Sequence, residues 1–161
     1  MNVQLLLEDE FVTYPQAVEL NKLGVQFAPL AAYLNDDEEL DICFNYIVKN
    51  NIKEEQYTNA PLKQQAFRWF RRKHFLNAII FNDDGDMIDC NLRFNYEIRP
   101  INFSHDDYIY SEANHDLDDE IESDCIIGDY NYKTYDEAQE ACLEALIEIV
   151  KKKQQDNGNN I

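Results

Sequence analysis

The apolar positions of this chain repeat with a helical period in some stretches and a strand period in others, and the residues between them mark where each element starts. Thr13-Tyr-Pro-Gln16 has the form of a capping box, in which the Thr13 hydroxyl accepts the N3 amide while Gln16 reaches back. Pro15 suits the first turn, where its missing N–H is no loss. Gly24 suits the left-handed position that follows a helix over about 14–23. Asn35-Asp-Asp-Glu38 places acids against the positive end of a helix dipole. Behind it Leu40, Cys43, Phe44 and Ile47 fall at helical spacing, which predicts a second helix over 36–50 ending in Lys49-Asn50-Asn51.

A third helix is predicted over 61–74, with Leu62, Ala66, Trp69 and Phe70 inward and Arg68, Arg71 and Arg72 mostly outward. Thr134-Tyr-Asp-Glu137 is a second capping box. It opens a helix over 135–153 whose wide apolar face, Ala138, Cys142, Ala145, Leu146 and Ile149, suits a helix lying across a sheet. Lys151, Lys152 and Lys153 meet the negative end of its dipole. The polar stretch 154–161 is expected to fray as a tail outside one domain of 1–153.

Period two appears between these helices. Leu92, Phe94, Tyr96 and Ile98 alternate with Asn91, Arg93, Asn95 and Glu97, so the first set should face a core and the second set solvent. With Ala78-Ile-Ile-Phe81 and the turn Asn82-Asp-Asp-Gly-Asp86 this predicts a hairpin over 77–99, and a third strand fits 124–132. Residues 104–123 read as a long acidic loop with a short strand at Tyr108-Ile109-Tyr110. The expected fold is α+β: a small antiparallel sheet packed by the helices over 61–74 and 135–153, flanked by the N-terminal helices.

Composition narrows the function classes. A chain of 161 residues with 45% apolar content can bury a core of its own. Its net charge of −18, from 32 acids and 14 bases, repels phosphate backbones and anionic membranes, so no direct nucleic-acid contact and no membrane contact are expected. Cys43, Cys90, Cys125 and Cys142 form no CxxC pair and stand away from histidine at zinc spacing, as buried thiols in a reducing compartment would. The first ten residues lack the basic region of a signal peptide, and no stretch approaches the ~20 apolar residues of a membrane span. The expected location is the cytosol of the cell that makes it.

Two stretches are familiar together: Pro61-Leu-Lys-Gln-Gln-Ala-Phe-Arg-Trp-Phe-Arg-Arg-Lys-His74 before a strand pair, and Thr134-Tyr-Asp-Glu-Ala-Gln-Glu-Ala-Cys-Leu-Glu-Ala-Leu-Ile-Glu-Ile-Val150 towards the end. Over roughly 57–150 the chain resembles a group of small uncharacterised proteins encoded in phages and prophages of gut Bacteroidetes. The resemblance implies a setting, that of a phage or prophage accessory protein in its host cell, and brings no activity or functional residue with it.

The candidate chemistry is sparse. Asn82-Asp-Asp-Gly-Asp86 fails as an EF-hand loop, because setting Gly85 at position six puts Ile80 at position one, and a hairpin turn explains it. His74, His105 and His115 have no nucleophile motif around them; His74 suits the negative end of a helix dipole. No catalytic residue, metal ligand or cofactor site is therefore assigned. Two charged stretches remain. Asp116, Asp118, Asp119, Glu120, Glu122 and Asp124 form a candidate interaction surface, and residues 104–140 hold thirteen acids against one lysine. Arg68, Arg71, Arg72 and Lys73, with Lys63, form a candidate basic patch, either an anion or RNA contact beside Trp69 or an outer helix face paired with the chain's own acids. The leading expectation is a non-enzymatic protein that binds a protein partner of unknown identity, a host protein being one candidate. The alternatives are an acidic nucleic-acid mimic that blocks a host DNA- or RNA-binding enzyme, and a metal-dependent enzyme using 104–124.

Overall fold

The computed structural model describes residues 7–26, 30–35, 38–43, 45–83, 93–101, 126–127 and 132–158. The fold is α+β. Its elements are α1 (Tyr14–Lys22), β1 (Ala31–Leu34), β2 (Leu40–Ile42), α2 (Asn45–Lys49), β3 (Tyr57–Ala60), α3 (Lys63–Lys73), β4 (Leu76–Asp83), β5 (Arg93–Pro100), β6 (Ile126–Ile127) and α4 (Tyr135–Gly158). The strands form two antiparallel sheets, ordered β2-β1-β3 and β4-β5-β6. The chain divides into two compact units, Met1–Trp69 with Leu143–Ile161, and Phe70–Cys142.

In the first unit, α1 begins and ends by local chemistry. The Thr13 N–H donates to Gln16 Oε1 at 3.2 Å, and Pro15 occupies the first turn. At the other end Gly24 has φ +81°, its N–H donates to the Asn21 carbonyl, and the Val25 N–H donates to the Leu20 carbonyl. That pair of bonds is a Schellman motif, and a left-handed C′ residue is what makes it possible. β1 is the central strand of its sheet, pairing Ala31 with both Ile42 and Ala60. Phe11, Ala31 and Ala60 are buried there with Tyr33, Leu40, Ile42 and Leu62 packed against them. The outer edge of β3 is covered by α1, because Asn21 Nδ2 donates to the Asn59 carbonyl at 2.9 Å. The C-terminal half of α4 adds buried Leu143, Leu146, Ile147 and Val150. Each such side chain contributes at most about 1.5–3 kcal/mol. Lys151 of α4 also pairs with Glu19 of α1 at 3.1 Å.

The chain does not form the helix expected over 36–50. The segment turns back after Leu34 into β2, and helix forms only over Asn45–Lys49. Glu38 (φ +56°) and Cys43 (φ +66°) both take left-handed backbone, which a continuous right-handed helix excludes. Of the acids that resembled a helix cap, Glu38 instead belongs to the turn between β1 and β2, where its N–H donates to the Leu34 carbonyl and the Leu34 N–H donates to the Glu39 carbonyl; Asp36 and Asp37 lie outside the described residues. Asp41 does cap a helix, but from the strand: its Oδ2 accepts the Ile47 N–H at 2.8 Å. Cys43, placed on the expected buried stripe, is exposed.

The second unit holds the predicted hairpin, with β4 paired to β5 from Leu76↔Pro100 to Asp83↔Arg93. The third strand falls within its expected range as Ile126–Ile127, paired to Ile98 and Glu97, and Tyr132 bridges to Phe94. Tyr96 and Ile98 are buried as the alternation predicts. Phe94 meets Tyr135 edge-on at 6.2 Å, and Tyr96 lies 6.0 Å from Tyr132. Asn95 departs from the pattern, being fully buried although it belongs to the set assigned to solvent. Its Oδ1 accepts the Tyr96 N–H at 2.7 Å, in the stretch between the two places where β5 is paired on its β6 side.

α4 starts as its sequence predicts, with the Glu137 N–H donating to Thr134 Oγ1 at 3.1 Å, while Glu137 reaches back to the Lys133 N–H. It does not stop at Lys153. The helix continues to Gly158, so 154–158 belong to it rather than to a frayed tail. Gln154, Gln155 and Asp156 are exposed there, and glutamine is a good helix former without any packing partner.

Candidate functional site

Of the two charged stretches, the structure places the basic one. α3 begins after Leu62, whose N–H donates to Gln65 Oε1 at 3.0 Å. Ala66, Trp69 and Phe70 are buried along one side of the helix. The opposite side carries Gln64, Arg68, Arg71 and Arg72, all exposed, at spacings of three and four that align them in one stripe. Trp69 is thus a core residue. Lys63 leaves the patch: it is buried at the helix start, where its N–H donates to the Glu10 carbonyl.

Arg68, Arg71 and Arg72 make no hydrogen bond or ion pair among the described residues. The expectation that this face pairs with the chain's own acids finds no such pair there. Lys73 is exposed too, and has an interaction of its own. At the end of the helix the His74 N–H donates to the Phe70 carbonyl, and the two rings lie 6.2 Å apart. Phe75 then turns with φ +55° and is 50% exposed. A non-glycine residue held there carries roughly 1–2 kcal/mol of backbone strain. The Ile101 N–H, donating to the Phe75 carbonyl at 2.6 Å, anchors that turn to the end of the hairpin. The outcome is a half-exposed aromatic ring following three guanidinium groups that have no partner among the described residues.

The acidic candidates, Asp116, Asp118, Asp119, Glu120, Glu122 and Asp124, lie outside the described residues, as do His105, His115, Cys90, Cys125, residues 84–86 of the predicted turn and the short strand expected at 108–110. Among the described residues no group of three or more His, Cys, Asp and Glu side chains could hold a metal ion. Burial pushes the Cys142 thiol up to about 12, so it stays protonated at neutral pH and serves as a core residue. Among the described residues no helix is long and apolar enough to cross a membrane.

Sequence reasoning found the three arginines and missed Phe75. Its signal was slight: an aromatic residue wedged between the helix end and the first strand residue, breaking both the helical and the alternating pattern. No family model, no curated protein and no solved structure matches the chain.

Proposed function

We propose that this protein acts by binding another protein, with the outer face of α3 and Phe75 as the contact surface. The observation that carries the reading is the exposure of Phe75, a few residues along the chain from three arginines that lack partners among the described residues, in a chain with 32 acids. Arginine and aromatic side chains are the residue types that most often dominate binding energy at protein interfaces. The partner's complementary surface is acidic with an apolar socket for the Phe75 ring. A nucleic acid is the weaker fit, because its phosphates would approach a molecule of net charge −18. The setting we propose is that of a phage or prophage accessory protein, in line with the resemblance over 57–150.

The test is affinity capture with the wild type, with Arg68→Glu/Arg71→Glu/Arg72→Glu and with Phe75→Ser. A partner held stoichiometrically by the wild type and lost by both variants supports the reading; a partner retained by both removes α3 from it. A second reading, the acidic mimic, is favoured by the thirteen acids against one lysine across 104–140. It requires a nucleic-acid-binding partner that is released by salt and lost when Asp116, Asp118, Asp119 and Glu120 are neutralised.

A further inference from the structure

The end of α4 runs beyond its own packing and closes on a reactive pair of residues. Along the helix, burial reaches as far as Val150, and Lys151 pairs with Glu19 of α1 and with Glu148. From Lys152 to Asp156 every residue is exposed. The final turn holds no base to meet the negative end of the helix dipole. The last carbonyls of a helix also lack intrahelical donors. A helix end with neither packing nor a favourable charge opens at close to zero free energy.

Of the four glycines in the chain, Gly158 alone follows an asparagine, and the Asn157-Gly158 pair lies at this end of α4. Asparagine is a thermolabile residue. A following glycine makes it most so, because the absence of a Cβ leaves the glycine nitrogen accessible and its backbone free to turn. An intact α-helix opposes the reaction. It commits the N–H of each residue to the carbonyl four residues earlier and holds the backbone where the ring described below cannot close. The route therefore runs through the opened turn.

We infer that Asn157-Gly158 is a spontaneous modification site whose product unwinds the last turn of α4. In the opened turn the Gly158 backbone nitrogen bonds to the side-chain carbonyl carbon of Asn157. The bond from that carbon to the amide nitrogen breaks, and the nitrogen leaves as ammonia with the proton of the Gly158 N–H. Water then adds to either carbonyl of the resulting succinimide and breaks its bond to the ring nitrogen. One opening restores the ordinary main chain with aspartate at 157. The other leaves isoaspartate, in which the chain runs through the former side chain. Each product carries a carboxylate, ionised at neutral pH, where the asparagine was neutral. A negative charge in the final turn opposes the dipole. Isoaspartate also lengthens the main chain by a methylene and so breaks the helical hydrogen-bond repeat. Loss of ammonia makes the change one-way. Its reach is bounded by Val150 and by the Lys151–Glu19 pair, which hold the preceding turns.

Ageing the full chain at neutral pH tests this, with ion exchange separating the product by its added charge and peptide mapping locating it. Conversion is expected at Asn157 ahead of Asn159 and Asn160, which precede asparagine and isoleucine. The native rate should fall within about tenfold of the rate in urea, as an end that opens at close to zero free energy requires. Gly158→Ala, compared in urea where no helix intervenes, should slow conversion by about tenfold or more. The purified product should exchange its amide hydrogens faster than fresh protein over 154–158 and equally over 142–150. Conversion at Asn157 no faster than at Asn159 or Asn160 overturns the site, as does a native rate more than about tenfold below that in urea, or a Gly158→Ala chain that converts as fast as the wild type. Equal exchange over 154–158 in product and fresh protein overturns the unwinding.

Discussion

Replacing Asn95 separates three effects that the structure sets against one another. The side chain is fully buried, its Oδ1 accepts the Tyr96 N–H, and its Nδ2 has no hydrogen-bond partner among the described residues. Asn95→Ala strands the Tyr96 N–H, which costs about 1–3 kcal/mol, but it also removes an orphaned donor whose burial costs about the same. These two nearly cancel. What remains is the space left by the lost amide, roughly 30–40 Å³, worth about 1 kcal/mol at the usual cavity penalty. Asn95→Asp keeps the acceptor and, when protonated, puts an O–H donor in place of the orphaned amide, but when charged it puts a carboxylate in a buried position, a penalty of several kcal/mol. Burial raises the folded-state pKa of that new carboxyl above its unfolded value of about 3.9. The aspartate variant should therefore match the wild type at pH below about 4 and lose stability as pH rises through the folded pKa. Urea unfolding followed by fluorescence of Trp69, the single tryptophan and a buried one, reads both variants at each pH. A loss above about 3 kcal/mol for Asn95→Ala would show that the amide is fully bonded. An Asn95→Asp deficit independent of pH would show that the site is open to water.

Further outcomes follow from single features. Gly24→Ala should destabilise by about 1–2 kcal/mol, since a Cβ there meets nothing within 4 Å and only the backbone at φ +81° resists it; Gly24→Asn should lose less, and thermal melts rank the two. Alkylation read by peptide mass mapping should modify Cys43 in the native protein and spare Cys142 until unfolding, because one is exposed and the other is a buried thiol held up to about 12. Hydrogen bonds from Lys22 and then Lys151 hold the Glu19 carboxyl below its usual pKa. Its stabilisation is thus present above about pH 4.5 and lost as pH falls through the lowered folded value. Glu19→Gln should remove a small part of the acid sensitivity of unfolding, and the difference should shrink in high salt because the pair is exposed.

The legible parts of this fold were those decided locally. Thr13, Pro15 and Gly24 bracket α1, and Thr134 with Glu137 opens α4, because caps and turns depend on neighbours within a few residues. The strict alternation of 91–98 located β5 for the same reason. The first sheet was not legible. Its strands have three or four residues, and its central strand opens on two buried alanines that carry no β signal. Leu40, Cys43 and Ile47 also share helical spacing by accident, and pairing of β1 with both β2 and β3 overrides that preference. Asn95 was assigned to solvent by period alone, and its burial depends on packing that no local pattern reports. For the site, the stripe of arginines could be read from helical spacing, whereas the exposure of Phe75 depends on a left-handed turn at a residue that does not favour one.

The binding claim is tested most directly by capture from cells of the proposed host, a gut Bacteroidetes, producing the tagged chain, comparing the wild type with Arg68→Glu/Arg71→Glu/Arg72→Glu after confirming that both are folded. The account predicts one stoichiometric protein partner with the wild type and its loss from the variant. An equal yield of that partner with the folded variant would contradict it.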